Sequence, residues 1–284
     1  MTILVTGATG NVGRRVVELL LAAGAPVRAT SRNPKTAELA ADVDVRAGDL
    51  DDPGSFGDAL SGVQKLFLFP SPSGVAGFLD LAGASGVRHV VLLSSGAVSG
   101  PGESVNPIGL MHLSVEQAVR HSGLAWTVLR PGSFASNTLQ WAPAIRESGE
   151  VRIPYAESTV SPIHERDIAA VAVQALLSGG HEGATYDLTG PESMTQRRQA
   201  ELIAAAIGRP VTVVDLAGDA ARAQLEEQYG AFAVPGLVDS LLAMYAASVG
   251  TAAPVTDTVA RITGRAPATF ADWASEHRPA FTAA

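Results

Sequence analysis

Residues 5–13 read Val-Thr-Gly-Ala-Thr-Gly-Asn-Val-Gly, so glycines fall at positions 7, 10 and 13, directly after a short apolar run. Glycine at that spacing allows a tight turn and lets an anion approach the backbone closely. A helix starting at such a turn offers free N–H groups and a partial positive charge, which suits a pyrophosphate. Gly7, Gly10 and Gly13, with Thr9, Asn11 and Val12 among them, are the candidate cradle for a dinucleotide. The competing reading is a turn that uses glycine for its geometry alone.

The second apolar run ends in Thr30-Ser31-Arg32-Asn33-Pro34-Lys35, with no acid to bond a ribose 2′-hydroxyl. Arg32 offers a two-pronged donor and Lys35 a second charge, and both suit a 2′-phosphate. Ser31, Arg32 and Lys35 therefore lead to an expectation of NADP(H) in preference to NAD(H), unless Arg32 is only a solvated loop residue. Asp49, followed by Leu50, can accept a bond from the adenine amino group or simply start a helix. Phe69 and Pro70 close the fourth apolar run and Pro131 the sixth, and they complete the cofactor set.

The elements that must carry these residues alternate. Apolar runs at 3–5, 27–30, 43–46, 66–69, 89–93 and 125–129 read as strands. Val12, Val16, Leu19 and Leu20 share one helical face, and residues 107–121 form a second helix. Short continuous apolar runs suit strands covered on both faces, and strand–helix repetition implies a parallel, doubly wound sheet. Beyond Pro131 the rhythm loosens: helices are expected at 167–177 and 192–207 and a strand at 211–215. The division expected is residues 1–155 as nucleotide-binding core. Residues 156–284 would then complete that core through a helix at 165–178 and cap the substrate site, all within one compact unit.

Composition narrows the chemistry. The chain has 284 residues, a formal net charge of −8 and no cysteine. Acidity disfavours nucleic acid or an anionic membrane as partner. Without cysteine there are no disulfides, thiolate ligands or thiol nucleophiles. The six histidines lack helical metal-ligand spacing, so no metal site is expected. Neither Gly-x-Ser-x-Gly nor the Gly-Lys-Ser/Thr ending of a P-loop is present. Strand-like sequence begins at Ile3 and the longest nearly apolar stretch, 169–177, is too short to span a bilayer, so a cytoplasmic protein is expected.

TGATGNVG, SRNP, GDLDD, HVVLLSS, HSGLAWTVLRPGSFASN, SPIHERDIAAVA, TGPESMTQ and TDTVARITGRAPATFADWASEH together resemble the atypical short-chain dehydrogenase/reductase superfamily. More narrowly they resemble its NmrA-like group, with bacterial NADPH-dependent quinone oxidoreductases. The resemblance runs from residue 2 to about residue 278. It implies a Rossmann-type α/β fold: a doubly wound parallel sheet with a smaller C-terminal α/β substrate-capping region. It also implies NAD(P) binding, and it makes the 107–121 helix a dimer surface, leaving monomer or homodimer open.

Reductases of the superfamily commonly use a Tyr-x-x-x-Lys pair. Aligned on Glu116 and Ser122-Gly123, the Tyr position holds Ile108 and the Lys position His112. No tyrosine here is followed four residues later by lysine, and neither lysine lies beyond residue 65. Ser95 matches the superfamily's catalytic serine, or else only caps a strand end. His112 can hold the nicotinamide ribose, donate a proton, or be an ordinary surface histidine. Phe134, Asn137, Trp141 and Tyr155 are candidates for the wall of a site for a flat aromatic ligand, or for the core. The leading expectation is NADPH-dependent hydride transfer to a quinone or similar conjugated small molecule. The alternatives are a non-catalytic NADP(H)-binding regulator and a redox-neutral isomerase or cyclase.

Overall fold

The computed structural model describes residues 1–99, 107–230 and 234–282. Along the chain, β1 (Thr2–Val5) leads into α1 (Asn11–Ala22), then β2 (Val27–Ser31), β3 (Asp44–Ala47) and β4 (Val63–Leu68). There follow α2 (Val75–Ala84), β5 (His89–Leu93), α3 (Pro107–His121) and β6 (Ala125–Pro131). Next are α4 (Ala142–Ser148), β7 (Glu150–Pro154), β8 (Thr159–Val160), α5 (Glu165–Leu177) and β9 (Ala184–Leu188). The chain continues through β10 (Met194–Thr195), α6 (Gln196–Ile207), β11 (Thr212–Leu216), α7 (Gly218–Tyr229), α8 (Leu237–Ser248), α9 (Thr258–Thr263) and α10 (Phe270–Glu276).

Seven parallel strands form the main sheet in the order β3-β2-β1-β4-β5-β6-β9. Successive side chains of a strand point to opposite faces. Ile3 and Val5 accordingly pack with α1 and α5, while Leu4 between them packs with α2 and α3. Both faces are covered, which is why these strands read as unbroken apolar runs. The order reverses between β1 and β4, and open sheets of this kind bind ligands beyond the strand C-termini at such a switch point.

The elements beyond Pro131 differ from expectation in three ways. The helix expected at 192–207 begins only at Gln196, because Met194 and Thr195 pair antiparallel with β8 and the Thr195 hydroxyl caps the helix by accepting the Arg198 N–H. A seventh strand, β9, joins the sheet beside β6; as an edge strand half open to solvent it lacks an apolar run. β7 pairs in parallel with β11 in a separate small sheet, whose strand runs 212–216 rather than 211–215. Around that sheet Trp141, Ile145, Ile153, Ile203, Phe270 and Trp273 form a second core.

A buried ionic clasp docks α10 onto α5. The Trp273 indole donates to Glu165 at 3.1 Å, and His277 Nε2 lies 3.0 Å from the other carboxylate oxygen. The Trp273 and His277 rings stack, with centroids 4.4 Å apart. Burial pulls the His277 pKa down, but its bonds to Glu165 and to the Trp273 carbonyl outweigh that and place it above the ordinary 6.5. Burial likewise opposes ionisation of Glu165, yet the bonds from His164 and His277 hold its carboxyl below its ordinary range.

A raised histidine pKa stabilises fully below pH 6.5 and is lost as pH rises through the folded value. The depressed Glu165 acts in the opposite sense, its contribution being lost as pH falls below the ordinary 4.5. The melting-temperature gap between wild type and His277→Gln is therefore expected to be widest near pH 6 and to close towards pH 9 (values on the order of the ordinary histidine pKa and above). Thermal melts across that range check it, and a gap that widens with pH would contradict the clasp.

Candidate active site

The glycine turn is held by close backbone approach. Gly7 has φ +61°, the Gly10 N–H donates to the Gly7 carbonyl at 3.0 Å, and Gly10 then precedes α1. A Cβ on Gly13 would stand 2.1 Å from the Gly7 carbonyl oxygen, so only glycine lets α1 start there. A Cβ on Gly10 meets only that oxygen, at 3.4 Å, and otherwise points into open space. No acid occupies the first turn of α1 and no side chain caps it. Its N–H groups are thus left to an anion, as a dinucleotide pyrophosphate requires. Thr9, Asn11 and Val12 line this turn, with Val12 turned into the core.

Around the turn, Phe69 lies against Gly7 and remains 46% exposed, an unusual position for a large apolar ring. Its N–H is fixed by the Thr6 hydroxyl at 2.8 Å, and Pro70 follows it half-buried. Arg32 and Lys35 are exposed and make no hydrogen bond or ion pair among the described residues; the Ser31 hydroxyl accepts the Asn33 N–H. The Asp49 carboxylate accepts the Asp51 N–H at 3.1 Å, and Leu50 packs against the core. Asp49 therefore shapes its own loop, with its second oxygen uncommitted among the described residues.

Beyond the C-terminal ends of β5 and β6, three segments converge. A Cβ on Gly96 would come within 3.2 Å of the Pro131 carbonyl, and one on Gly109 within 2.5 Å of the Ala97 carbonyl. The turn after Ser95, the end of β6 and the start of α3 are therefore pressed together. The Ser95 hydroxyl accepts the Ala97 N–H at 3.2 Å, which leaves its own proton available to donate. His112 stands one turn into α3, with a buried Nδ1 that has no hydrogen-bond partner among the described residues. Burial lowers its pKa from 6.5, only partly offset by Glu116, so the imidazole is neutral at pH 7. Ile108, at the expected Tyr position, packs with Leu225, Leu237 and Leu241 of α7 and α8.

Sequence reasoning used Glu116 only as an alignment marker, yet it is the hub of this site. It is wholly buried and accepts Ser94 Oγ at 2.6 Å and Arg130 through both Nε and Nη2, at 2.8 and 2.7 Å. Burial alone would raise its pKa, but these bonds hold it below the ordinary value. The separation of Glu116 from Arg130 by 14 residues hid the pair from local pattern reading.

The four substrate-wall candidates are dispersed. Phe134 bridges to Ile163 and packs on the main core, while Asn137 is exposed. Trp141, 7% exposed, belongs to the cap core and also lines a cleft of 280 Å³ with Arg152, Gln224 and Tyr245. Tyr155 has φ +52°, a conformation that costs a non-glycine residue on the order of 1–3 kcal/mol. No lining residue of that cleft comes from the glycine turn, the Ser95 turn or α3. Among the described residues no group of histidine and carboxylate side chains could hold a metal ion, and no helix is long and apolar enough to cross a membrane.

Residues 7–178 match the NAD(P)H-binding family. The chain belongs to that family, in the NmrA-like group of atypical short-chain dehydrogenase/reductases, as an NAD(P)H-dependent oxidoreductase. It is 42% identical to the (4-alkanoyl-5-oxo-2,5-dihydrofuran-3-yl)methyl phosphate reductase of Streptomyces griseus, over 98% of this chain and 99% of that one. It is 41% identical to the NAD(P)H azoreductase of Xenophilus azovorans, over 99% and 100% of the two chains. Its fold matches the NADPH-dependent quinone oxidoreductase QOR2 of Escherichia coli complexed with NADPH, with a TM-score of 0.79, 27% identity and coverage of 97% and 99%.

Two substitutions separate cradle from scaffold. Gly10→Val is expected to fold with stability within about 1 kcal/mol of wild type yet to lose cofactor binding, because its side chain fills the open cradle. Gly13→Ala is expected to lose about 1–3 kcal/mol or more through overpacking against Gly7. Urea denaturation with a cofactor titration on each variant checks both. Glu116→Ala, which takes the carboxylate away from the largely buried Arg130 guanidinium, is expected to cost about 3–5 kcal/mol in the same denaturation experiment.

Proposed function

We propose that this protein is an NADPH-dependent reductase of conjugated small molecules, with quinones as the model acceptors. The observation that carries this reading is the weakness of the acids near the Ser95 turn. Among the described residues the polar groups available there are the Ser95 hydroxyl and a neutral His112, while Glu116 and Arg130 are committed to each other. Reduction of a simple ketone builds alkoxide charge, and a positioned acid normally supplies about 10²–10⁴-fold in rate. A quinone spreads the charge through its ring and takes its proton from water or a weak donor.

The names of the relatives agree with this demand. A quinone, an azo group and an unsaturated lactone carrying an alkanoyl group are all conjugated acceptors. The cofactor, when bound, supplies the hydride. In this reading the glycine turn holds the pyrophosphate and Phe69 covers one side of the adenosine end. His112 holds the nicotinamide ribose from α3, and Ser95 donates to an acceptor oxygen. Arg32 and Lys35, exposed and unpartnered among the described residues, favour the 2′-phosphate of NADPH.

Steady-state turnover with a benzoquinone and with an aliphatic ketone tests the acceptor class. Quinone turnover with the ketone at least about a hundredfold slower is expected; comparable ketone turnover would overturn the reading. Arg32→Ala is expected to weaken NADPH about tenfold or more and to leave NADH unchanged, as read by cofactor titration. Equal wild-type affinities for the two cofactors would contradict the NADPH preference.

A further inference from the structure

Arg14 has a role that the glycine turn alone does not explain. It follows Gly13 on α1, where its backbone N–H bonds the Gly10 carbonyl at 3.0 Å. Its Nη1 reaches away from the helix to the Glu38 carbonyl, at 2.5 Å. Glu38 lies just beyond the single turn Pro34–Thr36, which carries Lys35. It is held at φ +47°, one of two non-glycine residues with positive φ among those described. A left-handed glutamate persists only where its surroundings hold it, and the Arg14 bond ties down its carbonyl. Arg14 therefore straps the start of α1 to the loop that presents Arg32 and Lys35.

The rest of the Arg14 guanidinium is uncommitted. Its other N–H donors take no partner among the described residues, and the Glu38 carboxylate bonds none of the three cations. The first turn of α1 holds no acid to compete for them. A guanidinium offers five donors in a rigid fork, so one can hold a carbonyl while others meet a phosphate.

We propose that Arg14 is a specificity-determining residue for the phosphorylated dinucleotide: it fixes the Arg32–Lys35 loop through the Glu38 carbonyl and presents its remaining N–H donors to the adenosine 2′-phosphate. This inference rests on the NADPH preference proposed above. NADH lacks the charged group and gains nothing from the strap beyond loop order.

The test is direct binding rather than turnover. NADPH and NADH are titrated by cofactor fluorescence against wild type, Arg14→Met, Arg14→Lys and Arg32→Ala, with circular dichroism melts to establish folding. Arg14→Met is expected to weaken NADPH about fivefold to tenfold and NADH less than about twofold. Arg14→Lys keeps the charge but cannot span both contacts, and is expected to fall between. The NADPH affinity of Arg14→Met is also expected to depend less steeply on salt, since a phosphate contact is lost. Equal weakening of both cofactors would reduce Arg14 to a turn-stabilising residue and overturn the proposal, as would an unchanged Arg14→Met. If Arg32→Ala still discriminates against NADPH in that case, the NADPH preference stands without Arg14. If neither variant alters discrimination, any NADPH preference does not arise from these cations, and this inference falls; equal wild-type affinities would remove the preference itself.

Discussion

Glu116 sits wholly buried on α3 and accepts hydrogen bonds from Ser94 at the end of β5 and from both prongs of Arg130 at the end of β6. The residues next along the chain, Ser95 and Pro131, begin the two segments that are pressed together beside the start of α3. A fourth bond, from Arg120 at 3.3 Å, extends the network to the guanidinium that lies over Trp126. An ion pair taken out of water repays its desolvation only with good geometry and further hydrogen bonds. Glu116 has both, and in return three separate elements share one fixed point. Because these charges satisfy each other, they are also withdrawn from chemistry, which leaves the site poor in strong acids among the described residues.

The cofactor side follows a different constraint. Its shape comes from backbone contact, with Gly13 against the Gly7 carbonyl and Phe69 against Gly7. The charge selectivity proposed for it rests on exposed side chains that follow β2. Scaffold and selectivity are thus separable. Under the proposed NADPH preference, the cradle would accept any dinucleotide pyrophosphate, whereas Arg32, Lys35 and the Arg14 strap would act only on the ribose that carries a phosphate.

The legibility of the sequence follows the range of the interactions. The glycine turn, the six core strands and the helices at 107–121 and 167–177 depend on spacings within a few residues, and these patterns are plain in the chain. The Glu165–Trp273 bond joins residues 108 apart, and no local pattern announces it. β9 was hidden because an edge strand buries one side only, and its Ala184–Leu188 run mixes polar with apolar residues. The start of α6 was misplaced because Thr195 both ends a strand and caps the helix. Tyr155 and Glu38 adopt left-handed backbone without glycine, which residue type alone argues against. The orphaned Nδ1 of His112 depends on packing around α3, so its neutral state is visible only in three dimensions.

The central claim is that hydride leaves the bound cofactor without help from an ionising acid of the protein. Its most direct test is the pH dependence of single-turnover NADPH oxidation by a quinone, followed by stopped-flow absorbance. With His112 already neutral and no other ionising acid placed at the Ser95 turn among the described residues, the rate is expected to be flat from about pH 7 to about pH 9, above the lowered histidine pKa. A rate that falls about tenfold per pH unit above an apparent pKa in that range would show that a protein acid delivers the proton, and would contradict the account.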